Sequence, residues 1–277
     1  MTGSRILSTT VTPLAPRYSI IVASTDDEII AAQRLRYRVF AEELGADLHS
    51  ARPGLDADDF DEFCDHLLVR DDTTGDIVGT YRMLPPHRAA AAGRLYSDSE
   101  FDLARFAPLR DILVETGRSC VHPDHRNGAV INLMWTGIAR YLHLHGHRWL
   151  AGCASVPCAK DSASGPLGGP TDRVQGVTDG DDTVDRVWEL ANRKHLAPPA
   201  LRVTPRVPFP VRGLPDEPRA ALLAAVPPLL RGYLRLGAWI CGEPAHDPDF
   251  KCADFLVLLS LDRVDPRYLK HFLGETT

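Results

Sequence analysis

The stretch ILVETGRSCVHPDHRNGAV, residues 112–130, places an apolar segment before a polar loop and the start of a helical pattern. The apolar character of 112–121 predicts a buried central strand. A bulge at its only glycine, Gly117, would bring Glu115 and Arg118 onto one face of that strand. Burying charges is unfavourable unless they are paired or used. The two side chains are therefore either a structural ion pair or part of a site.

Around this stretch, predicted strands and helices alternate, which indicates an α/β fold with one mixed sheet. The strands are predicted at 18–23, 66–70, 77–83, 149–156, 238–242 and 255–261, and the helices at 26–44, 129–144, 183–194 and 222–236. Thr25 is a hydroxyl cap for the first helix. We predict a flexible leader at 1–17 and a disordered insertion at about 159–180, where glycine, serine and aspartate dominate.

Composition excludes several classes of protein. Of the 277 residues, 44% are hydrophobic and 25% charged, which is typical of globular chains. The net charge of −6 argues against a nucleic-acid binder that relies on positive charge. Six cysteines without a CxxC pair indicate reduced thiols. The apolar stretch 220–230 is shorter than the roughly 20 residues of a membrane span. Since the N-terminus is also a poor secretory signal, we predict a cytoplasmic protein.

An acidic loop lies between the first helix and the second strand. It contains six acids within ten residues and no lysine or arginine among them: Asp56, Asp58, Asp59, Asp61, Glu62 and Asp65. Such a cluster is either a solvated loop or a site for a cationic ligand. The spacing does not match a calcium loop. The histidines at 122, 125, 143, 145 and 147 also lack the pattern of a zinc site, so we predict no metal.

Four motifs carry a resemblance to a known family. They are Arg36-Tyr-Arg-Val-Phe40, Asp58-Asp-Phe-Asp61, Gly79-Thr-Tyr-Arg82-Met-Leu-Pro85 and Glu115-Thr-Gly-Arg118. In this order they resemble the GNAT-fold acyltransferases that use acyl carrier protein, which include acyl-homoserine-lactone synthases and the ornithine N-acyltransferases of ornithine-lipid synthesis. Residues 227–247 and 254–259 resemble the ornithine branch, although Lys251–Cys252 stands where that branch tends to have Gly–Thr.

The resemblance implies both a fold and a reaction. The expected fold is the GNAT (acyl-CoA N-acyltransferase-like) mixed sheet flanked by helices, one domain over 18–277 with a C-terminal elaboration. The expected reaction moves a (3-hydroxy)acyl group from an acyl carrier protein thioester to the α-amino group of ornithine, giving lyso-ornithine lipid. No cofactor beyond the donor thioester is implied.

The resemblance also implies roles for individual residues. Glu115 would accept the amine proton with Arg118 beside it, and a backbone N–H at Gly117 would polarise the thioester. Asp58 and Asp61 suit a cationic group of the amino acid, and Arg82 or Arg118 suits its carboxylate. The remaining expected contacts are Arg36 and Phe40 at the site floor, and Cys120, Arg126 and Gly128 on the thioester or pantetheine. The loop at 126–129 is a one-glycine version of the acetyltransferase pyrophosphate loop.

The expected partners are an acidic acyl carrier protein and an amino-acid acceptor, with no nucleic acid. Basic residues proposed to receive the carrier protein are Arg126, Arg140, Arg148, Arg193 and Lys194. The helix at 222–236 is either a core element or a peripheral contact with the inner membrane face. Three other functions stay open: lactone synthesis from S-adenosylmethionine, coenzyme A-dependent N-acetylation, and a non-catalytic module that binds carrier protein or lipid.

Overall fold

The computed structural model describes residues 5–9, 17–158, 180–214 and 217–274. The chain divides into two compact units where a single domain was predicted. Unit 1 comprises Met1–Leu95, Asp111–Leu150 and Val264–Thr277, and unit 2 comprises Tyr96–Arg110 and Ala151–Arg263. The predicted disordered insertion falls outside the described residues, except for Gly180 at its end.

The strands are β1 (Arg5–Thr9), β2 (Tyr18–Val22), β3 (Asp65–Asp71), β4 (Ile77–Leu84), β5 (Phe101–Asp102), β6 (Leu113–Val121), β7 (Trp149–Pro157), β8 (Thr204–Pro205), β9 (Trp239–Ile240), β10 (Ala245–Asp247) and β11 (Cys252–Ser260). The helices are α1 (Asp26–Tyr37), α2 (Pro86–Ala92), α3 (Gly128–Leu144), α4 (Gly180–Leu190), α5 (Arg219–Ala225), α6 (Pro228–Arg235) and α7 (Pro266–Leu273). Each strand predicted from sequence corresponds to one of these strands and each predicted helix to one or two of these helices, whereas β1, β5, β8, β10 and α7 were not predicted.

The sheet of unit 1 has the strand order β1-β2-β3-β4-β6, and all neighbouring strands are antiparallel. Strand β1 lies inside the predicted flexible leader, so that prediction is wrong for Arg5–Thr9. Pairing with β2 explains the difference, because backbone groups at a sheet edge form hydrogen bonds with any extended segment that reaches them.

Helix α1 begins where the sequence predicts, and the predicted 26–44 helix is α1 together with the π-helical segment that follows it. Thr25 and Glu28 form a reciprocal capping box at its N-terminus. After Tyr37 the helix continues as a π-helical segment, Arg38–Glu43, and Gly45 follows with a φ of 74°. Helix α1 packs against β4 and β6, and α3 packs against β1, β2 and β3. This arrangement buries the sheet between helices, as expected for the fold.

Gly137 in α3 provides a test of this packing. A Cβ atom at this position would lie 2.2 Å from Cδ1 and 2.9 Å from Cγ1 of the fully buried Ile20 on β2. We expect Gly137→Ala to lower the free energy of unfolding by about 1–3 kcal/mol, the usual range for overpacking a core. Urea denaturation would measure the loss. Gly128→Ala is the matched control, because nothing lies within 4 Å of a Cβ at that helical glycine. Equal stability of both variants would contradict the described packing.

Unit 2 contains the strand order β7-β11-β10, with β9 also paired to β11, and every residue of β11 is buried. The helix predicted at 222–236 is two helices, α5 and α6. Val226 between them is extended because Pro227 disfavours a helical conformation in the residue before it. Helix α6 buries Leu230, Tyr233 and Leu234, which supports the packing interpretation. Among the described residues, no helix is long and apolar enough to cross a membrane.

Unit 2 also buries a pair of carboxyl groups. Both carboxyl oxygens of Glu100 are inaccessible to solvent, and Asp254 on β11 is almost completely buried. Burial, followed by the neighbouring Asp254, raises the pKa of Glu100, and burial likewise raises the pKa of Asp254. The folded protein therefore keeps protons that the unfolded chain releases.

This pair predicts the pH dependence of stability. Because its carboxyl pKa values are raised on folding, we expect stability to fall as pH rises above about 4, the pKa of an unfolded carboxyl, towards the folded values. Glu100→Gln cannot ionise and should reduce this decline. Urea unfolding at pH 5, 7 and 9 would measure it for both proteins. An identical decline in the variant would show that Glu100 is not the group responsible.

Candidate active site

A β-bulge on β6 positions the candidate catalytic residues. Leu84 pairs with Glu115 and Arg82 with Gly117, but Thr80 pairs with Cys120, so the register shifts by one residue opposite Tyr81. The bulge was predicted at Gly117. The structure places the unusual backbone one residue later, at Arg118, whose φ is 52°.

Four predicted site residues come together at one face of the sheet. Residues paired in register project to the same side, so Glu115 and Gly117 share a face with Arg82. Arg118 reaches the same aspartate that Arg82 contacts, Asp58. Nothing lies within 4 Å of a Cβ added at Gly117. The strand therefore presents open space beside a buried glutamate and two arginines.

Arg36 anchors the acidic loop to α1. Its side chain is fully buried and binds Asp56 through Nε at 3.0 Å, and Asp61 through Nη1 at 3.0 Å and Nη2 at 2.7 Å. It also donates to the Asp56 carbonyl oxygen. Gln33, one helical turn earlier, donates to Oδ2 of Asp61 at 2.9 Å. A buried guanidinium with this many partners fixes the position of the loop.

Arg82 and Arg118 extend these ion pairs into a network that includes Asp58, which is more exposed. Arg82 contacts Asp58, and its Nη1 lies 3.0 Å from Oδ1 of Asp61. Arg118 lies 3.2 Å from Asp56 and 3.3 Å from Asp58. The side chain of Asp58 is 25% exposed, against 5% for Asp56 and 8% for Asp61. Asp58 is therefore the network carboxylate that solvent or a ligand reaches most easily.

The arginines keep Asp58 and Asp61 ionised. Burial would raise the pKa of the Asp58 carboxyl, but Arg82 and Arg118 outweigh it and hold the pKa below its usual value. Burial would also raise the pKa of Asp61, but Arg36 holds it far below the ordinary range. The pKa of the nearby His66 is lowered, mainly by burial, so His66 is neutral at pH 7. With Glu115, the site holds four carboxylates and three arginines.

The two interpretations of the acidic loop apply to different residues. Asp56, Asp58 and Asp61 belong to the network, whereas Asp59 and Glu62 are exposed. Gln33 and His66 were not predicted as site residues, and Asp56 was included only as a member of the acidic loop. Gln33 could have been found from its spacing, because a residue three positions before Arg36 lies on the same helix face. Which acids of the loop join the network could not be predicted, because the loop has no regular period.

The residues predicted to contact pantetheine have other surroundings. Cys120 packs against Leu35 of α1 and Val39 of the π-helical segment that follows it. Burial raises the pKa of the Cys120 thiol to about 12. Arg126 makes a two-pronged ion pair with Glu43 at 2.5 and 2.6 Å. Gly128 is the first residue of α3. Phe40 is partly buried beside the cluster formed by Cys120, Leu35 and Val39.

Several arginines predicted to receive a carrier protein bind elsewhere in the chain. Arg140 donates to the carbonyl oxygens of Phe272, Leu273 and Leu7. Arg193 pairs with Glu189 at 2.7 Å and donates to a backbone carbonyl. Together with the ion pair of Arg126, these contacts commit three of the five predicted residues to bonds within the chain.

Two groups of described residues in unit 2 have ligand atoms close enough to hold a metal ion: Glu100, Cys153 and Asp254, and Asp247, Cys252 and Asp254. The pKa values of Glu100 and Asp254 are raised, which favours protonation of both carboxyl groups. Protonation removes their buried charge as a bound metal ion would, so the cluster does not require a metal. The absence of a metal from the reaction stays a prediction.

Comparison with known proteins adds a family assignment. Residues 35–136 match the family model described as acetyltransferase (GNAT) domain. Over 267 residues the chain is 35% identical to L-ornithine N(alpha)-acyltransferase of Rhodobacter capsulatus, covering 92% of this chain and 94% of that protein. The protein of the same name from Agrobacterium fabrum is 34% identical over 263 residues, with 92% and 84% covered.

Solved structures show the same fold at low identity. TofI, in a ternary complex with an inhibitor and MTA, has a TM-score of 0.50 and 17% identity, and covers 91% of this chain and 96% of its own. FeeM, an N-acyl amino acid synthase from uncultured soil microbes, has a TM-score of 0.50 and 12% identity, with 90% and 94% covered. The predicted GNAT fold is confirmed. At 34–35% identity over about nine-tenths of its length, the chain belongs to the L-ornithine N(alpha)-acyltransferase family.

Proposed function

We propose that the protein transfers an acyl group from a carrier-protein thioester to the α-amino group of ornithine. The observation that carries this proposal is the composition of the site, in which three aspartates pair with three arginines and Glu115, an additional carboxyl group, lies on the sheet face of Arg82 beside the open space at Gly117. Ornithine carries two ammonium groups and one carboxylate, so its net positive charge complements this excess. The names of the relatives support the same acceptor.

Glu115 is the proposed general base. The attacking amine must be neutral, and a carboxylate within reach of it accepts the proton directly or through one water. The amine nitrogen then attacks the thioester carbon, a C–N bond forms and the C–S bond breaks. The leaving thiolate takes up a proton and departs as the carrier thiol. Glu115 is 4% exposed, and exclusion of water strengthens its interaction with the ammonium group.

The arginines and Asp58 orient the acceptor in this proposal. Arg118 and Arg82 bind the α-carboxylate, since a guanidinium matches a carboxylate in shape and charge. Asp58, the most exposed carboxylate of the network, binds the side-chain ammonium. A backbone N–H released by the bulge at Gly117 and Arg118 stabilises the developing oxyanion. Arg36 and Phe40 support the floor, and Asp61 holds the loop through Arg36.

The acyl donor and the membrane contact are further parts of the proposal. An acyl carrier protein fits the motifs that this chain shares with carrier-dependent acyltransferases. The product is amphiphilic, and α6 exposes Leu229 next to Arg231, a combination suited to transient contact with an anionic membrane surface.

A mass-spectrometric assay tests the proposal. Purified protein receives 3-hydroxyacyl carrier protein or the matching acyl coenzyme A, each with ornithine, lysine, glycine or S-adenosylmethionine. We expect an N-acylornithine product with the carrier protein as donor. Formation of acyl-homoserine lactone would overturn the proposed acceptor. A product formed only with acyl coenzyme A would overturn the proposed donor. Carrier-protein binding without any product would indicate a non-catalytic module.

A further inference from the structure

One face of the β7-β11-β10 sheet in unit 2 carries acidic and thiol side chains. Cys252 and Asp254 lie two residues apart on β11, so they project to the same face. Asp247 on β10 pairs in register with Cys252 and therefore shares that face. On the neighbouring strand β7, the sulfur of Cys153 lies within 4.8 Å of a carboxyl oxygen of Asp254. Three strands thus place two thiols and two carboxyl groups together.

Glu100 reaches this face from a segment outside the three strands. Its backbone N–H donates to the Ser97 carbonyl oxygen at 3.2 Å, and its carbonyl oxygen accepts from the Arg206 N–H at 2.7 Å. A carboxyl oxygen of Glu100, the sulfur of Cys153 and a carboxyl oxygen of Asp254 all lie within 4.8 Å of one another. Three segments of unit 2 that are distant in sequence therefore meet at these atoms.

The carboxyl group of Glu100 is the one that lacks partners. Both of its oxygens are inaccessible to solvent, and neither forms a hydrogen bond with a described residue. Oδ1 of Asp247, by contrast, accepts two backbone N–H groups, at 2.9 and 3.0 Å. The Cys252 thiol donates to Oδ1 of Asp254 at 3.7 Å. A buried carboxylate without donors is unfavourable, so Glu100 requires a proton or a cation.

The donor atoms indicate which cation suits this place. One thiolate and two carboxylates are ligands of a divalent transition metal, whereas magnesium and calcium take oxygen ligands. Zinc binds sulfur at about 2.3 Å and carboxylate oxygen at about 2.0–2.2 Å in tetrahedral geometry, which separates two ligands by about 3–4 Å. Atoms already within 4.8 Å of one another reach these positions by small side-chain rotations. Oγ of Ser97 lies 3.4 Å from the Cys153 sulfur and can donate to its thiolate.

We propose that unit 2 binds a zinc ion through Glu100, Cys153 and Asp254. The ion links the segment before β5 to β7 and β11. None of its ligands takes part in the proposed acyl transfer, so the two proposals stand or fall separately. Histidine spacing did not reveal the site, because none of these ligands is a histidine. Zinc replaces the protons that the carboxyl pair otherwise keeps, and the pH dependence described for Glu100 is that of the metal-free protein.

Cobalt(II) is the probe for the thiolate ligand, because a cobalt–thiolate bond gives a charge-transfer absorption that carboxylates alone do not. Metal-free, reduced protein is titrated with cobalt, and zinc then competes for the site. We expect one cobalt ion per chain with this absorption, and its loss in Cys153→Ala. Glu100→Gln should bind zinc at least about tenfold more weakly, since even the loss of an outer-shell partner weakens metal binding by about 10–100-fold.

Matched variants control for folding and for unspecific binding. Cys158→Ala removes a buried thiol of unit 2 that belongs to neither group of close ligand atoms, and Glu243→Gln removes an exposed acid of the same unit. Both should bind cobalt and zinc as the wild type does. Glu100→Gln has the shape of the protonated carboxyl group, so we expect it to fold without metal, which thermal unfolding in a chelator would verify.

Four outcomes would overturn the proposal. Wild-type protein without the cobalt–thiolate absorption would exclude this metal site, and wild-type zinc affinity in Glu100→Gln would remove that ligand. Absorption lost in Cys252→Ala but kept in Cys153→Ala would move the ion to Asp247, Cys252 and Asp254. If ornithine binds where zinc does not, and Glu100→Gln abolishes that binding, the carboxyl pair receives an ammonium group instead.

Discussion

Glu115→Gln is expected to lower kcat for ornithine acylation by about 10²–10⁴, the usual contribution of a general base, with little change in stability. The amide has the shape of the carboxyl group and still accepts a hydrogen bond, but it does not take up a proton at neutral pH. Single-turnover rates with saturating donor and ornithine would measure the loss, and thermal unfolding would verify the fold.

The pH profile separates a base from a positioning group. If Glu115 removes the proton, the variant should regain rate as pH rises, because more of the amine is then already neutral. Glu62→Gln is the matched control, because Glu62 is an exposed residue of the acidic loop, and this variant should retain the wild-type rate. A Glu115→Gln enzyme with the wild-type rate and pH profile would remove Glu115 from the mechanism.

Arg36→Met is expected to lower the free energy of unfolding by about 3–5 kcal/mol, because it removes the fully buried partner that Asp56 and Asp61 share and leaves each buried aspartate with a single arginine. Urea denaturation at pH 7 would measure the loss. Arg70→Met is the control, because Arg70 and Asp72 form a pair in which both side chains are a quarter or more exposed. Such pairs contribute about 1 kcal/mol at most. Similar losses in both variants would show that burial does not set the strength of the Arg36 pairs.

Acid provides a second readout for Arg36. The pKa of Asp61 is lowered on folding, so its contribution is present above about pH 4, the pKa of an unfolded aspartate, and is lost as pH falls further. Arg36→Met removes the arginine that lowers this pKa most. Stability of the variant should therefore depend less on pH between about 4 and 2 than that of the wild type.

The secondary structure and the family were predictable because they depend on local patterns. The capping box at Thr25 and the apolar run of β6 act over a few residues. The four motifs identified the family because their order, rather than any single match, is distinctive. By contrast, α7 was not predicted because eight residues are too few for a clear period. β1 was not predicted because only its pairing with β2 makes it a strand.

The sequence by itself determined the alternation of strands and helices, the family, and the residues that carry charge in the motifs. Only the tertiary structure decided which charges meet, because Arg36, Asp61 and Arg82 come from separate segments and their partners depend on how α1 packs on β4 and β6. It also committed Arg126 to an ion pair with Glu43. Charge is a property of each residue, but pairing and burial depend on distances that the fold sets.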